Sequence, residues 1–142
     1  MRTISVLDLE DATVAIAAMR AALVAAGKTA AIAVADGHGD LIALERLDGT
    51  PASSVTIAAN KAWTAATQQR ATGSIGARLR KADEAFDIAY YGDRRACGWA
   101  GGLPVRDRDG TVVGSVAVSG LPEREDEEIA EAGRAALEAR LR

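Results

Sequence analysis

The sequence predicts an α+β fold, an antiparallel sheet with helices packed on it. Two stretches alternate in residue type on either side of glycine-containing turns, as hairpins do, and the stretches around them carry apolar residues at spacings of three and four. The resulting order is helix, hairpin, helices, hairpin, helix. Hairpins make antiparallel pairs, which separates this class from folds built on parallel strands.

Asp8 to Ala26 reads as an amphipathic helix through Ala12, Ile16, Met19 and Leu23, with Asp8 placed to cap it, Asp11 in its first turn and Gly27 as its stop. In "AAIAVAD", Ile32 and Val34 then alternate with Ala31, Ala33 and Ala35, the period of a strand. "GHGD" turns the chain, and "LIALERL" returns with Ile42, Leu44 and Arg46 expected on one face. Pro51 suits the first turn of a second helix, whose predicted stripe is Val55, Ala59, Ala62 and Ala66 and whose predicted end is Gly73. A short third helix from Ser74 follows, weakened by Gly76, and an irregular stretch from Phe86 to Gly98 holds Phe86, Tyr90 and Tyr91. The second hairpin has strands near Leu103 to Arg106 and Thr111 to Ser119 around "DRDG", whose Asp-Gly pair is a turn signal. "EREDEEIAEAGRAALEARL" closes the chain as a helix with Ile129, Ala132, Ala136 and Leu137 inward and acidic residues complementing its dipole.

With 142 residues, and no internal repeat, low-complexity tract or linker, residues 1–142 are expected to form one domain. The hydrophobic half of the composition is dominated by Ala, so packing must rely on close approach of small side chains. A formal net charge of −3 and the absence of a basic stripe argue against a nucleic-acid partner. No apolar run nears the roughly 20 residues that span a bilayer, and "MRTISVLDLEDA" turns acidic where a signal peptide would be apolar, so a cytoplasmic protein off the membrane is expected. One Cys and one His exclude an internal disulfide and disfavour a zinc site of the usual ligand type, and no metal ligands are assigned.

Several ordered motifs carry a resemblance. "AVADGHGDLIALERLDGTPASS", "NKAWTAA", and "GGLPVRDRDGTVVGSVAVSG" followed by "EDEEIAEAG" resemble the GlcG/HbpS family of haem-binding-like proteins, which includes the C-terminal domain of PduO-type proteins. The resemblance implies a profilin-like α/β/α sandwich with an antiparallel sheet of about five strands, and homo-oligomers. It implies that some relatives bind haem or corrinoid-linked ligands. The chain departs from the family after Ser119-Gly120, where Leu121 and Pro122 stand in place of a second glycine.

Gly101 and Gly102 suit a loop whose amides reach an anionic ligand group, or a tight turn into a strand. Ser119 suits a hydrogen bond to a ligand, or a cap. The stem of Lys61 either covers apolar surface with its ammonium in water or directs that ammonium into a pocket to bind an anion. Arg46 suits a carboxylate ligand, or a pairing with Asp48 or Asp36. His38 is the chemically natural axial haem ligand, yet it lies in a hairpin turn where an exposed histidine is ordinary. Cys97, Tyr90 and Tyr91 are further possible ligands or packing residues, and Asp126 in the acidic run reads as a cap.

Two functions follow. One is a homo-oligomeric binding protein for haem, a corrinoid or a small organic anion. The other is an isomerase, lyase or hydrolase acting on a small carboxylate or carbonyl compound, with Lys61 and Arg46 positioning it. A pocket is expected between Gly101–Gly102 and Gly120, with Lys61 and Arg46 near it.

Overall fold

Local chemistry sets the first helix. In the computed structural model, which describes residues 1–142, the Asp8 carboxylate accepts from the Asp11 amide at 3.0 Å and the Asp11 carboxylate accepts from the Asp8 amide at 3.2 Å. This reciprocal pair satisfies two donors at the start of α1 (Leu9–Ala26), and Gly27 ends the helix in the left-handed region at φ 65°. The chain continues through β1 (Ala31–Asp36), β2 (Leu41–Arg46), α2 (Ser53–Gln68), α3 (Thr72–Leu79), a single 3-10 turn at Ile88–Tyr91, β3 (Gly102–Arg106), β4 (Val112–Ser119) and α4 (Glu123–Arg140).

The four strands lie in the order β2-β1-β4-β3, every neighbouring pair antiparallel. Alternation along β1 divides the core. Ile32 and Val34 join Met19 and Leu23 of α1, Val116 and Val118 of β4, and Ile129 and Leu137 of α4 on one face. Ala31, Ala33 and Ala35 meet Ala58 and Ala62 of α2 on the other. Alanine on both sides of that second interface lets helix and sheet backbones approach closely. The layers are therefore α1 with α4, the sheet, and α2, which is the α/β/α sandwich expected from the resemblance. No helix is long and apolar enough to cross a membrane.

Four sequence expectations need correction. Ile42, Leu44 and Arg46 do not share a face: the β1–β2 register shifts between Val34 and Ala35, which pair with Ala43 and Leu41. Ile42 then packs with the larger cluster and Leu44 with the smaller. In α2 the buried residues are Ser54, Ala58, Lys61, Ala62, Thr64, Ala65 and Ala66, with Val55 and Ala59 only half-buried. The helix is covered on two sides, because the segment after the 3-10 turn folds over it. The Thr64 hydroxyl donates to the Arg95 carbonyl at 2.9 Å and accepts from the Cys97 amide at 3.1 Å, and the Arg95 guanidinium lies 4.4 Å from the Trp63 ring.

The boundary between α2 and α3 also moves. Helix α2 stops with Gln69 in the left-handed region at φ 56°, its carbonyl accepting from Arg106, and Gly73 lies inside α3, which starts before Ser74. Gly76 belongs in that helix for a steric reason: a Cβ there would stand 1.8 Å from the Gly98 carbonyl oxygen. In α4, Ala130 and Gly133 share the buried face with Ile129 and Leu137, whereas Ala132 and Ala136 are half-buried.

Candidate functional site

Strand β3 begins one residue too late to finish its ladder with β4. The Val118 amide still donates to the Gly101 carbonyl at 2.9 Å, but the Val118 carbonyl receives its proton from a side chain, Lys61 Nζ of α2, at 2.9 Å. The same ammonium donates to Asp126 Oδ2 of α4 at 2.9 Å, and Asp126 Oδ1 accepts from the Leu121 amide at 3.0 Å. Lys61 is 1% exposed and Asp126 2%, so the pair crosses the edge of the sheet almost entirely out of water. Burial pushes the Asp126 carboxyl above its ordinary value of 3.8, while Lys61 and the Leu121 amide act in the opposite sense.

Gly101 and Gly102 make room for this lysine. A Cβ on Gly101, at φ 127°, would lie 2.8 Å from Lys61 Nζ and 2.6 Å from the Val118 carbonyl oxygen. A Cβ on Gly102 would lie 2.6 Å from the Lys61 carbonyl oxygen, and the Gly102 amide is occupied by Thr72 Oγ1 at 3.0 Å. Both glycines are buried against Lys61 and outside the cleft lining.

A cleft of about 350 Å³ opens onto the pair. Its apolar walls are Ile57, Leu121 and the half-exposed Trp99, and Ser54 and Ser119 contribute hydroxyls. Glu123 forms a further wall and is already engaged, one oxygen accepting from the Ala100 amide at 2.9 Å and the other from Arg80 at 3.3 Å. That double contact ties the loop carrying Trp99 to the start of α4. Gly120 completes the lining, so the cleft does lie at the Ser119–Leu121 end of the second hairpin.

The other candidates lie outside the cleft. Arg46 is exposed and pairs with Ala31, which pairs on its other side with Ser119. Arg46 therefore stands on the same sheet face as Ser119, two strand spacings or about 10 Å away. His38 is exposed in the β1–β2 turn, its amide donating to Asp36 Oδ1 at 2.8 Å. That turn follows Asp36, at the other end of β1 from the residue paired with Ser119, about 17 Å along the strand. Tyr90 is 86% exposed, and Tyr91 packs edge-on to Phe86. Cys97 is half-buried in a neighbouring cleft that shares Trp99, and burial raises its thiol pKa.

Sequence reasoning missed Asp126 as Lys61's partner, along with Ser54 and Trp99 as cleft residues. A signal for Asp126 existed: it lies three, four, seven and eleven residues before the buried Ile129, Ala130, Gly133 and Leu137, in helical phase with all of them. No pattern connected it to Lys61, sixty-five residues earlier.

The family model described as haem degrading protein HbpS-like matches residues 7–135. The crystal structure of Streptomyces reticuli HbpS, as a double mutant, is 31% identical, covers 96% of this chain and 90% of its own, and superposes with a TM-score of 0.84. Klebsiella pneumoniae ORFY reaches a TM-score of 0.91 at 24% identity over 98% of this chain and 95% of its own. A PduOC:haem complex reaches 0.83 at 22% identity over 92% of this chain and 94% of its own. These last two likenesses show the fold. An uncharacterised 15.0 kDa protein of Citrobacter freundii, from a dhaT-dhaS intergenic region, is 31% identical over 98 residues, 69% of this chain and 68% of that protein.

Proposed function

The chain belongs to the HbpS-like family, and on that premise we propose that it is a small-ligand-binding protein whose ligand is a small organic anion seated in the cleft between α2, the end of β4 and the start of α4. The observation that carries this reading is the buried Lys61 ammonium at the cleft wall. It has three protons, of which Val118 and Asp126 take two, and no protein acceptor takes the third. Ser54 and Ser119 supply hydroxyls for a second oxygen of a carboxylate, and Ile57, Leu121 and Trp99 accommodate an apolar body. Arg46, on the same sheet face outside the cleft, adds a positive field that favours an approaching anion.

Haem fits this cleft poorly. Iron in proteins is held axially by His, Cys, Met or Tyr, and the lining contains none of these. A haem reading still draws support from the family's description and from the 31% identity to HbpS. It would place haem at the exposed turn carrying His38, away from the cleft. Titration with haemin tests it: a saturable Soret change that His38→Ala abolishes supports the reading, and the absence of any saturable change removes it. Homo-oligomerisation is likewise proposed, since Leu9, Val24 and Leu41 leave large apolar side chains on the surface, and native mass spectrometry reads it directly.

The cleft reading is tested by thermal-shift and calorimetric screening of small organic acids against the parent protein, Ser119→Val and Trp99→Ala. Saturable binding weakened about tenfold or more by either substitution supports it, on the scale of one lost hydrogen bond to a charged group. Binding indifferent to both substitutions would place the ligand elsewhere.

A further inference from the structure

Resting on the reading of the cleft as a site for a small organic acid, we propose that the acid enters together with one proton, which its carboxyl group shares with Asp126. The charges around Asp126 force this stoichiometry. Helix α2 contributes one ammonium, Lys61, and α4 contributes Asp126 and Glu123. Ser119 at the end of β4, Gly120 and Leu121 after it, and Trp99, Ala100 and Gly101 before β3, contribute no ionisable side chain. Arg80, beyond α3, is committed to Glu123, and Lys28 is committed to Glu125 in the first turn of α4. The Cys97 thiol, in the neighbouring cleft, is held protonated by burial.

Lys61 and Asp126 are thus a neutral pair before any ligand arrives. A second carboxylate that takes the free N–H of Lys61 with one oxygen can turn its other oxygen to Asp126 Oδ2, which is bonded to the same nitrogen. Two buried carboxylates against a single ammonium leave one negative charge uncompensated, and such pairs retain a proton between them. No bond other than O–H···O forms. The proton comes from solvent and returns there when the acid leaves. The raised pKa of Asp126 in the free protein lies in the direction that makes this uptake easier. The site consequently selects acids over neutral isosteres most strongly at low pH, and releases them as pH rises.

Calorimetry of the full chain with propionate, butyrate and benzoate, each beside its uncharged amide, tests the proposal in two buffers of different ionisation heat. The expected result is uptake of up to about one proton per acid bound, with affinity falling as pH rises by at most about tenfold per pH unit, the limit for one proton. The amides should bind without proton exchange and with a flat pH profile. In Asp126→Asn, which keeps an acceptor for the Leu121 amide, acid binding should lose both its proton uptake and its pH dependence. Acids that bind the parent protein with no buffer-dependent heat and a flat profile overturn the proposal while leaving the cleft as a binding site. If none of the acids or amides binds, the cleft reading fails and the proposal fails with it.

Discussion

Replacing Lys61 with methionine keeps most of the stem's volume and removes the ammonium. Asp126, 2% exposed, would then be a buried carboxylate whose remaining side-chain partner is the Leu121 amide, and the Val118 carbonyl would lose its donor. Removing one member of a buried ion pair costs about 3–5 kcal/mol, because the other charge stays desolvated. For a chain of this length that corresponds to a fall in Tm of roughly 10–15 °C. The loss should depend on pH. A carboxyl whose pKa is raised in the folded state favours folding below its unfolded value and loses that contribution as pH rises through its folded value. Asp126 is already raised in the parent, and without Lys61 it is raised further, so the deficit is largest at neutral to alkaline pH and shrinks as pH falls toward 3.8. Urea unfolding followed by circular dichroism at about pH 5 and about pH 8 measures both effects, and Lys61→Met combined with Asp126→Asn should recover more than half of the loss. A deficit below about 1 kcal/mol, the value of an exposed pair, would refute the reasoning. So would a double variant no more stable than the single one.

Other substitutions probe the frame around the site. Gly76→Ala places a Cβ 1.8 Å from the Gly98 carbonyl oxygen, so the segment carrying Trp99 must shift. A loss of about 1–3 kcal/mol with altered tryptophan fluorescence is expected, and an unchanged Tm and spectrum would contradict the contact. Asp8→Ala removes one half of the reciprocal cap of α1 and should cost about 1 kcal/mol by thermal denaturation, with no effect on ligand affinity. The Cys97 thiol, raised by burial, should alkylate more slowly than the same thiol in urea at about pH 8, and Gly76→Ala should accelerate it by loosening the same segment.

Much of the fold was legible because its signals are local. Asp8, Asp11 and Gly27 satisfy helix ends within a few residues, and the alternation in Ala31–Asp36 reports two buried faces wherever the strand lies. The errors have a common origin in contacts from distant parts of the chain. The α2 stripe is displaced because the segment after the 3-10 turn covers a second side of that helix. Ile42 leaves the face of Leu44 because a register shift beside Val34 is set by how β1 and β2 pair. At Gly101 and Gly102 the small residues were visible, but what approaches them was not: the neighbour is the body of Lys61.

The sequence by itself determined the caps of α1, the two hairpins and the α+β class, since propensity, turn chemistry and side-chain period act over a few residues. Only the tertiary structure decided that Lys61 passes the edge of the sheet to meet Asp126, that Ser54 and Trp99 face Ser119 across one cleft, and that His38 lies at the far end of β1. Those outcomes depend on which strand ends early and how the layers stack, and a buried charge takes its partner from whatever the assembled chain places within hydrogen-bond reach.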